Sequence, residues 1–385
     1  MKPCSLAILG STGSIGLNTL KVVDQNPQHF KVKALSAFNN FKLLKVQIKK
    51  YKPSHVAVGK EGLAYFRSIG LKGVKFYPVE DCAQLASLKE VDTVVLAMSG
   101  TGALMPFLEA LRAGKTVAPA NKEALVIAGD LIMAEARKFN ARIIPIDSEQ
   151  SAIFQCLEGQ GSKPKFVHLT ASGGPLREVS IEDFRRMTPK DILRHPRWKM
   201  GPKITVDSAT LMNKGFEVIE AKHLFNLEHD QIKVIVHPEA IIHSMVEFVD
   251  GSLLAQLGVT DMRLPIQYAL TYPKRLPTGL DNLNLAQLGS LHFEEPNLKK
   301  FPSLGLAYEA VRRAGTLPAV LNAADEIAVE SFLREEIDFI SIYKVIEKVV
   351  LRHTIVKNPS LLAILQADQW ARQEAKNIIE LRQQR

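Results

Sequence analysis

The sequence holds only three cysteines, Cys4, Cys82 and Cys156, far apart along 385 residues. They are too few and too scattered for a disulfide framework or a thiolate metal site, and such usage suits a reducing cytoplasm. No apolar run is long enough to span a bilayer, so no membrane partner is expected. The opening residues lack the pattern of a signal or transit peptide, because strand-like residues begin by Leu6. Basic stretches interleaved with aromatics are also missing, although the formal net charge is +9. The positive charge is spread along the chain, which argues against nucleic acid and fits an enzyme handling several phosphates. What is present is an ordinary globular mix, 46% apolar and 23% charged, at a length that predicts two or three domains.

A more local absence is that of acids: none occurs between Asp24 and Glu61. That stretch follows "CSLAILGSTGSIGLNTLKVVDQNP", which reads as strand, glycine turn and helix. Gly10, Gly13 and Gly16 would let the backbone approach a pyrophosphate seated on the N–H groups of the helix start, although a tight turn without ligand has the same glycines. The second strand, "KVKALSA", ends at Phe38, Asn39 and Asn40, where an NAD site would carry an acid for the ribose. Lysines at 42, 45, 49 and 50 follow instead, which favours NADPH. "HVAVG", "VKFYP" and "VDTVVLAMSG" continue the alternation of a wound parallel sheet. "KTVAPANKEALVIAG" adds a strand that ends at Asn121, Lys122 and Glu123, at the sheet edge where ligands bind.

"IIPIDSEQSAIFQ", residues 143–155, places two carboxylates where a buried strand meets a helix. Read as extended chain, Asp147 and Glu149 point to one side with Ser148 opposite, and something positive is needed between them. The alternative is a helix starting near Gln150, with Asp147 and Ser148 as caps. Further on, "KFVHLTASGGPLRE" brings Ser172 and two glycines into a turn that could form an anion nest. "RHPRWKMGPK" gathers basic residues, His195 and Trp198 between prolines and reads as a lid. "TVDSATLMNKGFEVIEAKHLF" puts Asn213 and Glu217 on one helix face beside Lys214. Glu217 is the candidate partner of Asp147 and Glu149. Three carboxylates without cysteine or histidine imply a hard divalent cation, Mg²⁺ or Mn²⁺. His237 and His243 lack the spacing of a helical zinc pair and read as structural. "FVDGSLLAQLGVTDM" reads as a hairpin about Asp250-Gly251. The region from Ser303 onward reads as a helical domain whose Asp325 and Glu326 are polar groups on helix faces.

Taken in order, "GSTGSIG", "ANKEALV", "DSEQSAIFQ", "ASGGP", "HPRWKMG", "DSATLMNKGFEVIEA" and "HPEAIIHSMVEF" resemble the 1-deoxy-D-xylulose 5-phosphate reductoisomerase family over essentially the whole chain. The resemblance implies rearrangement and NADPH-dependent reduction of 1-deoxy-D-xylulose 5-phosphate, with one Mg²⁺ or Mn²⁺ per site. It assigns Asp147, Glu149 and Glu217 to the metal, and with Lys122 to catalysis. It assigns Gly10, Thr12, Gly13, Ser14, Ile15, Asn39, Asn40, Asn121, Glu123 and Gly201 to the cofactor. The sugar phosphate falls to Lys122, Ser148, Glu149, Ser172, His195, Trp198, Ser208, Asn213, Lys214 and Glu217. Two positions depart from many relatives: Phe38-Asn39-Asn40 replaces a Gly-Lys-Asn triplet, and Thr260 replaces a proline before Asp261-Met262.

The fold expected is α/β: an N-terminal Rossmann-like dinucleotide-binding domain over 1–145, a central α+β catalytic domain over 146–274 with a lid loop at 192–203, a linker over 275–301 and a C-terminal helical domain over 302–385. A cytoplasmic homodimer is expected. The rival readings are another NADP-dependent oxidoreductase, such as an aldehyde dehydrogenase with Cys156 as nucleophile, and a non-enzymatic binder of phosphosugar or nucleic acid.

Overall fold

The structure is a computed structural model that describes residues 2–193 and 201–383. The chain forms two compact units. The first comprises Met1–Ala124, Asp130–Phe154 and Asp261–Asp281. Its strands are β1 (Cys4–Leu9), β2 (Phe30–Ala37), β3 (His55–Val58), β4 (Lys75–Pro78), β5 (Thr93–Leu96), β6 (Thr116–Pro119) and β7 (Arg142–Ile143). They lie in the order β4-β3-β2-β1-β5-β6-β7 with every pair parallel. Helices cover such a sheet on both faces, so its strands are short continuous apolar runs; Leu6 to Leu9 and Val94 to Leu96 are wholly buried. The strand order reverses between β1 and β5, which opens a crevice at the carboxyl ends of these two strands.

The segment Asp261–Asp281 belongs to this unit, whereas the sequence reading gave most of it to the catalytic domain. The reason is packing. In the helix Arg263–Thr271, the residues Ile266, Ala269 and Leu270 join the core that contains Leu6, Leu20 and Val95. The buried Asn26 Nδ2 donates to Gln267 Oε1 at 3.2 Å, tying the end of the helix Ser14–Gln25 to the same helix.

The second unit comprises Leu125–Gly129, Gln155–Thr260 and Asn282–Arg385. Its sheet holds β8 (Phe166–Ala171), β9 (Ile232–Val236), β10 (Ile242–Glu247) and β11 (Leu253–Leu257) in the order β11-β10-β8-β9. β8 and β9 are parallel, and β10 runs antiparallel to both β8 and β11. The β10–β11 turn is the expected hairpin, with Gly251 at φ +85°. The helices Pro202–Thr210 and Met212–Phe225 meet at Leu211, which is left-handed at φ +59°. Four long helices, Pro302–Arg313, Leu317–Leu333, Phe339–Arg352 and Leu361–Gln383, complete the unit. A Cβ on Gly215 would lie 2.5 Å from Ala307 Cβ, so glycine lets the helix Met212–Phe225 approach the helix Pro302–Arg313 closely. From Asn282 onward the expected linker is anchored within this unit. Val236 N donates to Glu294 O at 2.8 Å and Glu294 N to Val236 O at 2.9 Å, because the chain there pairs briefly along β9.

Candidate active site

The glycine turn after β1 is built for close approach. Gly10 has φ +91°, and a Cβ there would lie 2.5 Å from Ala97 O. A Cβ on Gly16 would lie 2.4 Å from Gly10 O, so only glycine lets the helix pack this tightly on the strand. Gly13 precedes the helix Ser14–Gln25, which has no side-chain cap and no acid in its first turn. Gly13 and Ser14 are exposed, with Thr12 and Ile15 half-buried. The turn is held from below: Gly10 N donates to Ser36 Oγ at 2.9 Å, Ser11 Oγ to Gln47 Oε1 at 2.7 Å, and Gln47 Nε2 to Ser11 O at 2.8 Å. Gln47 was not singled out in the sequence. Its signal is a polar residue between Leu44 and Ile48 on the buried face of the helix Phe41–Tyr51.

Asn39 and Asn40 are exposed just past β2. Asn40 Oδ1 accepts from Leu43 N at 3.1 Å and so caps the next helix. Asn121 is buried, and its amide donates to Met98 O at 3.1 Å, Gly100 O at 3.0 Å and Glu123 Oε2 at 2.8 Å. Its Oδ1 accepts from Ala124 N at 2.9 Å. This side chain therefore braces the ends of β5 and β6 and holds Glu123.

Lys122 Nζ lies 2.7 Å from Asp147 Oδ2, with both side chains more than nine-tenths buried. Asp147 Oδ1 accepts from Glu149 N at 3.3 Å, and Asp147 O accepts from Ser151 N at 2.8 Å. The extended reading of residues 147–149 is corrected here: the helix is Ser148–Leu157, and Asp147 stands at its N-cap. Cap and ion pair coexist because the carboxylate has two oxygens and spends one on each. Ser148 Oγ donates to Glu149 Oε2 at 2.7 Å. A carboxylate oxygen of Asp147 and one of Glu149 lie within 4.8 Å of each other.

In the second unit the helix Met212–Phe225 carries a matching pair. Asn213 Nδ2 donates to Glu217 Oε1 at 2.6 Å, and the Lys214 ammonium sits on Glu217 Oε2. Lys214 is 4% and Glu217 1% exposed, so here too charge is taken out of water only with its partner. The turn at Ser172 is close by. Gly173 and Gly174 have φ +87° and +70°, Gly174 N donates to Ser172 Oγ at 3.4 Å, and a Cβ on Gly174 would lie 2.3 Å from Ser208 O. His243, on β10, is held neutral by burial, its pKa pushed down to about 4, with the Lys214 charge acting in the same direction. His237 is structural: its Nδ1 donates to His292 O at 2.9 Å and its Nε2 accepts from Ile241 N at 3.2 Å. His195, Trp198 and the rest of residues 194–200 lie outside the described residues. Gly201 is exposed at the start of the helix Pro202–Thr210.

Cys156 is buried within the helix Ser148–Leu157, and burial pushes its thiol up to about 11. That removes the thiolate an aldehyde dehydrogenase would need.

A parallel sheet with a glycine turn at its switch point, an acid-free end to β2 and buried ammonium–carboxylate pairs define a dinucleotide-dependent oxidoreductase of the NADP type. Family models match in three stretches: 1-deoxy-D-xylulose 5-phosphate reductoisomerase over 6–129, its C-terminal domain over 143–225, and the DXP reductoisomerase C-terminal domain over 257–374. The chain belongs to the 1-deoxy-D-xylulose 5-phosphate reductoisomerase family. The reductoisomerase of Heliobacterium modesticaldum is 51% identical over 375 residues, 96% of each chain. One from Bacillus thuringiensis is 50% identical over 378 residues, 97% of this chain and 98% of that one. A crystal structure of DOX-P reductoisomerase in complex with NADPH, fosmidomycin and magnesium matches with a TM-score of 0.94 at 40% identity, over 99% of both chains. The enzyme of Zymomonas mobilis in complex with NADPH matches with a TM-score of 0.91 at 39% identity, over 98% of this chain and 99% of that one.

Proposed function

We propose that the chain catalyses the rearrangement and reduction of 1-deoxy-D-xylulose 5-phosphate to 2-C-methyl-D-erythritol 4-phosphate, the non-mevalonate route to isoprenoids. It is an NADPH-dependent oxidoreductase that requires a divalent cation. The observation that carries the reading is the carboxylate pair at the start of the helix Ser148–Leu157, an oxygen of Asp147 within 4.8 Å of one of Glu149, to which we assign Glu217 as the third donor. With no sulfur or imidazole among them, the set fits Mg²⁺ or Mn²⁺. The fit to NADPH rests on the glycine cradle and on the acid-free stretch that tolerates a 2′-phosphate.

When bound, the cation supplies Lewis-acid polarisation of the substrate's oxygens, and NADPH supplies the hydride. The residues do the rest. The turn at Thr12, Ser14 and Ile15 receives the pyrophosphate on backbone N–H groups, Gly13 shaping it by donating to Gly10 O at 3.1 Å, while Asn121 fixes Glu123 beside the cofactor. Lys122 donates a proton or hydrogen bond to the oxygens that gain charge, and Asp147 keeps its ammonium in place. Ser172, Ser208, Asn213 and Lys214 anchor the phosphate end, and Ser148 orients Glu149. Purified protein should oxidise NADPH when given the sugar phosphate and Mg²⁺ or Mn²⁺, yielding the branched polyol phosphate, and should stop on chelation. Folded protein without that turnover would sink the reading.

A second copy of the chain is the partner we propose. β11 is an edge strand whose Leu253 and Leu254 are exposed, with Val249 beside the hairpin 77% exposed, and such an edge favours pairing. Light scattering at the mass of one chain would refute it. Among the described residues no helix is long and apolar enough to cross a membrane. The three free thiols support a cytoplasmic setting.

A further inference from the structure

Among the described residues, outside those just assigned, a charged cluster about the buried Asp207 and Asp325 has no part in the mechanism. Lys203, in the first turn of the helix Pro202–Thr210, lies 2.6 Å from Asp207 Oδ2 and 2.8 Å from Asp325 Oδ2. Asp325 is 0% exposed and sits in the middle of the helix Leu317–Leu333, where the sequence suggested a polar group on a helix face. Its neighbour Glu326 is held by Arg372 at 2.6 Å and acts on Asp325 only through its charge. Burial pushes the Asp325 carboxyl up, against the lowering effect of the Lys203 ammonium and of Asp207, so the two acids are gathered about one ammonium. Lys203 also stands 4.6 Å from the centre of the Phe216 ring, one residue before Glu217.

The location is informative. Asp207 immediately precedes Ser208, Asp207 O accepts from Thr210 Oγ1 at 3.1 Å, and the left-handed Leu211 then starts the helix bearing Asn213 and Lys214. Ser172 reaches the same place because Gly174 packs on Ser208 O. Thus every described residue assigned to the phosphate hangs on a segment that the cluster ties to the C-terminal helices.

We infer that Lys203, Asp207 and Asp325 are positioning residues for recognition of the substrate's phosphate, setting the place of Ser208 and the register of Asn213 and Lys214. The inference rests on the phosphate role proposed above for Ser208. It makes the helical C-terminal region part of substrate specificity, and it leaves cofactor binding and the rearranging carbons alone.

The test is steady-state kinetics on the full-length enzyme with its metal. Asp325→Ala should raise KM for the sugar phosphate about tenfold while kcat and the KM for NADPH stay within about twofold. Asp325→Asn, which keeps the volume and a polar oxygen facing Lys203, should restore the KM. Should Asp325→Ala fail to fold, Lys203→Met, at a partly exposed position, carries the same prediction. An unchanged sugar-phosphate KM, or a fall in kcat and NADPH affinity in step with it, overturns the inference. Ser208→Ala separates the two layers. If it raises the KM but the cluster variants do not, positioning alone is wrong; if it leaves the KM unchanged, the phosphate reading falls and takes the inference with it.

Discussion

The glycine turn after β1 and the helix Met212–Phe225 handle negative charge by opposite means. The turn presents backbone: Gly13 and Ser14 are exposed, no acid stands in the first turn of the helix, and nothing ionised needs to move. The helix presents side chains whose charges are buried and already engaged, Lys214 with Glu217. A backbone cradle is preformed and depends on shape. A buried charge pair depends on its partner, and losing either member strands the other in a medium that solvates it poorly. The first device therefore tolerates changes in charge and fails on volume, and the second does the reverse.

The largest effect should come from Glu217→Gln, which keeps the volume and removes the charge. If Glu217 is the ligand proposed, its loss should lower kcat/KM by more than about a hundredfold and shift the metal titration to higher concentration. The stranded Lys214 should also lower stability by about 3 kcal/mol, read from the denaturant midpoint. The matching insult to the turn is Gly10→Ala. With φ +91° and Ala97 O 2.5 Å from the new Cβ, it should cost about 2 kcal/mol and weaken NADPH binding, measured by cofactor fluorescence. Metal affinity without cofactor should not change, and a change there would break the contrast.

A smaller effect is expected with pH. The folded pKa of His243, about 4, lies below its ordinary value near 6.5, so the unfolded chain binds a proton that the folded chain refuses. That contribution is complete above about pH 6.5 and is lost as pH falls towards 4, with a slope on the order of 1 kcal/mol per pH unit. Replacing His243 with Gln should flatten denaturation midpoints over that window, and an unaltered slope would show that another group is responsible. The smallest effect belongs to Asn40→Asp. It keeps the cap on Leu43 N but puts an acid into the stretch that has none. The KM for NADPH should rise about threefold with little change for NADH. Equal changes for both would place the 2′-phosphate elsewhere.

The parallel sheet was readable from sequence because each βα step is local: an apolar run, a turn and an amphipathic helix. The glycine turn was readable for the same reason, and Asn213, Lys214 and Glu217 because they share one helix face. What escaped depends on long-range partners. Asp325 looked like a solvated acid because Lys203 lies far from it in sequence. The helix Arg263–Thr271 looked continuous with the catalytic stretch because its apolar face gives no sign of which core it joins. Residues 147–149 were misread at a boundary: Asp, Ser and Glu suit a strand end and a first helical turn alike, and the backbone bond at Asp147 decides for the helix. The turn's support by Gln47 was visible only as a polar residue in an apolar stripe.

The double employment of Asp147 bears on how this enzyme could decay. One oxygen starts a helix and the other meets Lys122, and only the second task requires a negative charge. Asparagine or serine at that position would still begin the helix but would strand the buried Lys122 ammonium, so a descendant released from selection for catalysis could drift there only if the charge at Lys122 were lost as well. Fold and the proposed catalytic role are thus separable at the pair rather than at either side chain alone. On the proposed metal role of Asp147, a relative with an asparagine there and no charge at the position of Lys122 would be a folded remnant rather than an enzyme with a different metal.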